Sequence, residues 1–257
     1  MPVARQFVAW LSLPAGLRWL DVGCGTGALT EAVLRAAEPA QVTGVDRSPG
    51  YLAAARARLG DPRARFEVAD AAALPCPDGV FDAVVSGLSL NFAPDPAAAL
   101  AEAVRAATPG ATVAAYVWDY AAGMELTRRF WDAARVLDAG AAALDEGERF
   151  PLCRPRPLAA LFATALRKVT VREIVVPTVF SDFDDYWEPF LGAQGPAPAY
   201  VASLDEQQRT RLRELVRSRL PAAAGDGSIR LLARAWAVRG QAVAPQRIGV
   251  PVADASG

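Results

Sequence analysis

Along the first half of the chain, short apolar runs alternate with segments whose apolar residues recur at helical spacing. RWLDV (18–22), QVTGVD (41–46), ARFEVAD (64–70), FDAVVSG (81–87) and ATVAAYVWDY (111–120) read as strands. FDAVVSG is apolar through its centre, as a strand covered on both faces should be. Between the strands, ALTEAVLRAA (28–37) puts Leu29, Ala32, Val33 and Ala36 on one helical face. GYLAAARARLG (50–60) is a second helix, ending at Gly60. DPAAALAEAVRAATPG (95–110) opens with Asp95 as N-cap and Pro96 at the first helical position, and closes at Pro109-Gly110. Strands alternating with helices predict an α/β fold with a mostly parallel sheet and helices on both faces.

After residue 120 the pattern changes. Residues 121–167 read as helices broken by EGERFPLCRPRP (146–157). KVTVREIVVPTVF (168–180) is a strand, and SDFDDYWEPFLGAQGPAPAY (181–200) is polar and aromatic. DEQQRTRLRELVRSRL (205–220) is a charged helix, with Glu206–Arg209 and Glu214–Arg217 spaced to pair on a solvent-facing surface. IRLLARAWAVRG (229–240) is the last strand. Two late strands suit an antiparallel edge on the parallel sheet. The organisation expected is one domain over 1–241, with a core at 15–120, helical insertions at 121–167 and 181–227 acting as lids, and a loose tail at 242–257.

Composition narrows the chemistry. More than half of the residues, 53%, are hydrophobic and the net charge is −1, which describes a folded chain without the basic excess of a nucleic-acid binder. Lys168 is the only lysine, and the arginine and alanine abundance reads as compositional bias. Cys24, Cys76 and Cys153 are far apart and odd in number, so neither a disulfide framework nor a metal site is expected. The N-terminal apolar patch is broken by Ser12 and Pro14 and does not read as a signal peptide, and no apolar run has the length of a membrane span. A cytoplasmic chain, monomeric or homodimeric, is expected. The count of histidines is zero. This excludes Ser-His-Asp and Cys-His catalysis and leaves Asp, Glu, Tyr, Cys or Lys168 as the available bases.

The strongest local signal is LDVGCGTGALT (20–30). A strand, a glycine turn and a helix bring backbone N–H groups to a helix N-terminus, where carboxylates or phosphates bind. Gly23, Gly25 and Ala28 fit G-x-G-x-x-G/A, and a tight turn alone would explain as much. Three acids narrow the reading. Asp21 precedes the first glycine, where it would repel a pyrophosphate and attract an ammonium. Asp46 ends the second strand, placed to accept from ribose hydroxyls, and Asp70 ends the third, placed to accept from an exocyclic amine such as that of adenine.

On these residues, and on VTGVDRSPGYLAAAR (42–56), VADAAALPCPDGVFDAVVSGLSLNFAPDP (68–96) and EAVRAATPGATVAAYVWD (102–119), the chain resembles the class I S-adenosylmethionine-dependent methyltransferases. The similarity is to the small-molecule branch resembling ubiquinone/menaquinone-biosynthesis methyltransferases, motif by motif over roughly residues 1–120. It implies a Rossmann-like seven-stranded sheet with one antiparallel late strand, and S-adenosylmethionine as cofactor with S-adenosylhomocysteine as product. By the same resemblance Asp21 and the Gly23 backbone hold the methionine end, with Cys24 and Gly25 in the same loop. Asp46 binds the ribose with Arg47 and Ser48 beside the adenine. Asp70 and Ala71 bind the adenine amine and ring, and Ser86 and Leu88 flank the sulfonium or simply pack the loop. Asn91 stands near a position where such proteins frequently carry histidine, so no histidine base carries over.

The acceptor side is less legible. A sulfonium methyl is already activated, and orientation alone supplies up to ~7–11 kcal/mol of a barrier, so a base is optional. Trp118, Tyr120, Phe130, Trp131, Phe150, Tyr186 and Trp187 suit either an aromatic acceptor pocket or ordinary packing, and packing is favoured for Phe130 and Trp131. Trp118, Tyr120 and Asp119, at the end of the fifth strand, are the candidate catalytic residues, with Glu125 a further possible base. Arg128, Arg129, Arg154 and Arg156 could hold an acidic substrate, though a solvated surface explains them as well. The expected activity is methyl transfer to an oxygen or carbon of a small molecule. The alternatives are an NAD-dependent oxidoreductase and a non-catalytic S-adenosylmethionine-binding sensor or partner subunit.

Overall fold

The five apolar runs of the first half pair side by side. In the computed structural model, which describes residues 2–192 and 195–243, the chain begins with α1 (Pro2–Leu11) and continues through β1 (Arg18–Val22), α2 (Ala28–Ala36), β2 (Gln41–Asp46), α3 (Pro49–Arg58) and β3 (Ala64–Val68). It goes on through β4 (Phe81–Gly87), α4 (Pro96–Ala106) and β5 (Ala107–Trp118). These five strands are parallel. Asp95 caps α4 as expected, accepting from the N–H groups of Ala97 and Ala98 at 2.9 and 3.0 Å. The helix stops at Ala106, short of Pro109-Gly110, because β5 already starts at Ala107 and its leading end is irregular against β4.

The insertions are helical. They comprise α5 (Glu125–Leu137), α6 (Glu146–Arg149) and α7 (Pro155–Ala163), then β6 (Leu166–Phe180), then α8 (Phe183–Trp187), α9 (Pro196–Ser203) and α10 (Glu206–Arg219), before β7 (Ile229–Ala242). The short α6 lies inside the stretch expected to be only a break. The strand order is β3-β2-β1-β4-β5-β7-β6, with β7 antiparallel to both neighbours. This is the Rossmann-like seven-stranded sheet with one reversed strand. β7 inserts between β5 and β6, and β6 takes the edge. Most of the expected tail, 244–257, lies outside the described residues. Ala242 itself is the last residue of β7 and is buried.

Among the described residues three larger apolar clusters hold the layers, and a small fourth packs α3 on the sheet. One lies on the α4 and α7 face of the sheet, around Leu20, Val84, Leu100, Val113, Leu158 and Phe162. A second lies on the opposite face, where α1 buries Val3, Ala4, Phe7, Val8 and Leu11 against α2 and the sheet. The C-terminal carbonyls of α1, those of Trp10 and Leu11, accept from the Arg239 guanidinium at 3.1 Å each, a cation placed at the negative end of the helix dipole. α1 replaces what looked like a broken apolar patch. The third cluster joins the insertions to the ends of β6 and β7, through Phe180, Ile229 and Leu231. There Phe130 meets Trp131 edge-on at 5.0 Å and stacks on Phe190 at 4.4 Å, and Tyr186 and Trp187 are buried with them. These five aromatics are core, and none lines the cavity described below.

Charges expected on the surface also turn inward. Arg128 is mostly buried and holds the fully buried Asp145 carboxylate with two bonds of 2.8 and 2.7 Å, and Arg135 adds a third at 2.6 Å. On α10 the expected in-helix pairs do not form. Arg213 and Arg217 reach across to Asp184 and lie over the Phe183 ring at 5.1 and 4.3 Å, because α8 offers them both a carboxylate and a π-face. Among the described residues, no helix is long and apolar enough to cross a membrane.

Candidate cofactor site

The carboxyl ends of β1, β2 and β4 converge on the loop between β1 and α2. Gly23, Gly25 and Gly27 have φ of +71°, +53° and +82°, in the left-handed region that glycine enters without strain. At Gly23 space is also short. A Cβ built there would lie 1.8 Å from Ser89 Oγ, so the Ser89 side chain, arriving from the loop after β4, occupies the room a Gly23 side chain would need. The loop is further tied to β2. Gly23 and Cys24 N–H both donate to the Val45 carbonyl, at 2.8 and 2.9 Å, and Gly25 N–H donates to Asp46 Oδ2 at 2.9 Å. The Cys24 side chain is buried against Leu52, Ala55 and Phe66, and burial raises its pKa far above the usual thiol range, which makes it a filler.

Asp21 is fully buried beneath this loop. Thr30 Oγ donates to its Oδ2 at 2.7 Å, while Oδ1 has no hydrogen-bond partner. Burial raises its pKa to about 7, only partly opposed by the Thr30 hydrogen bonds, and the Asp46 charge adds to the rise. A buried carboxylate with one empty oxygen and no cation against it is costly unless a ligand supplies the positive charge.

Above the loop opens a cavity of about 870 Å³ that continues into solvent. Of the expected cofactor residues, Gly23, Asp46, Arg47, Asp70, Ala71 and Ser86 line it together. Asp21, Cys24, Gly25, Ser48 and Leu88 do not line it. Ser48 instead caps α3, with its Oγ accepting from Tyr51 N–H at 3.3 Å, and its N–H donates to Asp46 Oδ1 at 2.9 Å. Leu88 carries a positive φ of +59°, a strained turn that redirects the chain after β4 so that Ser89 and Leu90 face the cavity. Asp70 and Arg47 form an exposed ion pair of 3.7 Å at the rim.

Sequence reasoning missed Ser89, Leu90 and Phe92 and the deep apolar wall. That wall is formed by Ala99, Leu100 and Ala103 of α4, Val113 of β5 and Phe162 of α7. The four-residue spacing of Ala99 and Ala103 signalled one helical face, but not which face would border a ligand.

The three candidate catalytic residues separate. Asp119 is buried and faces away from the cavity, with Arg234 Nε and Nη2 on its Oδ2 at 2.8 and 2.7 Å and Ala122 N–H on its other oxygen. Trp118 is partly buried and packs against the cluster on the α1 face of the sheet. Tyr120 lies 5.8 Å from Phe150, whose ring meets Phe92 edge-on at 5.2 Å. Phe92 is 58% exposed and lines the cavity, so this aromatic row leads outward from the cavity rim. Glu125 accepts from Leu232 N–H at 2.8 Å. Arg129 donates to the Arg219 carbonyl at 3.0 Å and Arg154 to that of Gly147 at 3.1 Å. Arg156 is exposed.

Residues 20–115 match the family profile described as "Methyltransferase domain". The chain is similar to trans-aconitate 2-methyltransferase of Variovorax paradoxus, 35% identical over 111 residues, covering 43% of this chain and 42% of that protein. It is also similar to 2-methyl-6-phytyl-1,4-hydroquinone methyltransferase of Synechocystis, 31% identical over 188 residues, 72% of this chain and 58% of that protein. The matched stretch thus spans less than two thirds of either relative. In fold it is similar to phosphoethanolamine N-methyltransferase 2 of Haemonchus contortus, solved with phosphomonomethylethanolamine and S-adenosylhomocysteine. That match has a TM-score of 0.56 and 18% identity, over 95% of this chain and 52% of that one.

Proposed function

We propose that this chain, whose residues 20–115 match the methyltransferase-domain profile, transfers a methyl group from S-adenosylmethionine to a small-molecule acceptor, at an oxygen or carbon atom. The observation that carries this reading is the buried Asp21, whose free Oδ1 lies under a glycine loop, with Asp46 at the end of β2 and Asp70 in the turn just past the end of β3, beyond the strand expected to hold it. That set asks for a ligand with a positive charge at one end, vicinal hydroxyls in the middle and an amine at the other. The residues therefore fit the cofactor.

Asp21 would hold the ammonium, Asp46 the ribose hydroxyls, and Asp70 with Ala71 the adenine edge, with Arg47 lying against the ring. When bound, the cofactor supplies an activated methyl whose leaving group is a neutral thioether. The chain's part is to orient the acceptor in line and to keep water out. Ser86 and Ser89 border that space, and Phe92, Phe150 and Tyr120 would form an apolar flank for the acceptor. Burial pushes the Tyr120 hydroxyl well above its usual pKa, so it stays neutral and serves as a hydrogen-bonding group. With Asp119 committed to Arg234, no buried base borders the cavity among the described residues, and the acceptor's proton leaves to water. The insertions at 121–167 and 181–227, which pack over the ends of β6 and β7, are read as the lid.

The occupied loop amides weigh against the oxidoreductase alternative. A pyrophosphate would meet N–H groups already donated to Val45 and Asp46, beside the Asp21 carboxyl. Calorimetry with S-adenosylhomocysteine and NAD, followed by tritiated-methyl transfer to trans-aconitate, alkylated hydroquinones and catechols, tests the reading. Binding of NAD without S-adenosylhomocysteine would overturn it. Cofactor binding with no transfer to any acceptor class would favour a sensor or partner subunit.

A further inference from the structure

The glycine loop binds itself, and this leaves one end of the cofactor short of donors. In a strand–glycine–helix turn, the loop N–H groups are the expected seat for a carboxylate. Here Gly23 and Cys24 N–H share the Val45 carbonyl, Gly25 N–H is held by Asp46, and Gly27 N–H donates to the Cys24 carbonyl at 2.8 Å. The side chain below the loop, Asp21, is an acceptor that suits an ammonium and repels a carboxylate. An α-amino acid end brought to this loop therefore finds a partner for its nitrogen but none, among these amides, for its oxygens.

Ser89 lies where that donor is wanted. Its Oγ rests directly over Gly23 Cα, in the volume a Cβ would fill, and it lines the cavity. Its backbone carbonyl accepts from Phe92 N–H at 2.9 Å, whereas its hydroxyl has no hydrogen-bond partner among the described residues. The hydroxyl is brought there at a cost, because the preceding Leu88 adopts a φ of +59° that a branched side chain rarely takes. A strained turn that delivers an unpartnered hydroxyl onto the first glycine is explained if the hydroxyl has a ligand to meet.

We propose that Ser89 is a binding group for the amino-acid end of the cofactor, its O–H donating to the α-carboxylate in place of the glycine-loop amides. The inference rests on the cofactor reading above. It makes the Gly23–Ser89 contact one unit: the missing side chain at Gly23 admits the hydroxyl, and the hydroxyl does the work of the spent N–H groups.

The test compares two ligands that differ only at this end, S-adenosylhomocysteine and 5′-methylthioadenosine, which lacks the amino acid. Titration calorimetry is run on the full chain, wild type and Ser89→Ala, with Ser86→Ala as a second cavity hydroxyl. Ser89→Ala is expected to weaken S-adenosylhomocysteine by about tenfold or more, the scale of a lost hydrogen bond to a charged group, while methylthioadenosine changes less than twofold. Equal weakening of both ligands would mark a merely structural role for Ser89 and overturn the proposal, as would unchanged affinity for both. The same loss from Ser86→Ala as from Ser89→Ala would also overturn it. Wild-type protein that binds methylthioadenosine but gains nothing from the amino-acid end would defeat this inference and leave the adenosine site standing. Binding of neither ligand would defeat the cofactor reading itself.

Discussion

The backbone N–H of Gly25 donates to the Asp46 carboxylate at 2.9 Å, so the acid that ends β2 also fastens the glycine loop. Asp46 takes a second bond from Ser48 N–H on its other oxygen. Removing the carboxylate frees two backbone donors and deletes the acceptor proposed for the ribose. Asp46→Ala is expected to lose ~1.5–3 kcal/mol of S-adenosylhomocysteine binding, the range for hydrogen bonds to a charged group. Calorimetry reads it directly, and unchanged affinity would refute the ribose role.

A methyl group at Gly23 meets two obstacles at once: a φ of +71° and the Ser89 hydroxyl at 1.8 Å. The left-handed conformation alone costs ~1–2 kcal/mol for a residue with a Cβ. Gly23→Ala is therefore expected to lower stability in urea by more than that and to abolish cofactor binding. Adding Ser89→Gly should return the part of the stability loss due to the clash and leave the backbone part. A double variant no more stable than the single one would show that the contact is not the obstacle.

Asp21 makes stability depend on pH in an uncommon direction for an acid. Its pKa is about 7 in the folded protein against 3.8 for the free side chain, chiefly through burial. Between those values the folded state holds a proton that the unfolded state has released. The contribution is thus complete below pH ~4 and is lost as pH rises through ~7. Asp21→Asn, which keeps the shape without the charge, should flatten this part of the stability–pH curve measured by urea unfolding. Cofactor affinity in the wild type should move the other way and rise toward pH ~7 as the carboxylate ionises to meet the ammonium. A wild-type affinity that is flat over this range would exclude the Asp21–ammonium contact.

Asp119 and Arg234 join the end of β5 to β7. Asp119→Ala strands a guanidinium that is about one-third exposed. The expected loss is ~2–3 kcal/mol of stability, below the ~3–5 kcal/mol of a fully buried pair, with cofactor affinity unchanged. Weakened S-adenosylhomocysteine binding at full stability would return Asp119 to the list of site residues.

α1 was not legible as a helix beforehand, yet Phe7 is fully buried and lies 4.8 Å from the Tyr116 ring. Phe7→Ala should cost ~3–5 kcal/mol if α1 is part of the core, and well under 1 kcal/mol if it only rests on the surface. Thermal denaturation separates the two.

How much was readable beforehand follows from the range of each interaction. The strands, α2, α3, α4 and α10 were legible because periodicity, an N-cap such as Asp95 and a Pro at the first helical position act over a few residues. The helical repeat of Val3, Ala4, Phe7, Val8 and Leu11 is present too, but Ser12 and Pro14 cut it short, and only packing on the sheet reveals α1. Asp21, Asp46 and Asp70 were identifiable as a set because a parallel sheet brings the carboxyl ends of its strands to one side whatever the loops do. What the chain alone could not say is which partners those groups would find. Asp119 reads as a free acid until Arg234, more than a hundred residues later, closes on it. Arg128 reads as a surface charge until Asp145 is buried beside it. Ser89 is one more loop serine until a left-handed Leu88 swings it onto Gly23. Local backbone preference determined the elements and the row of acids. Long-range packing and burial decided which polar groups are spent on the fold and which are left for a ligand.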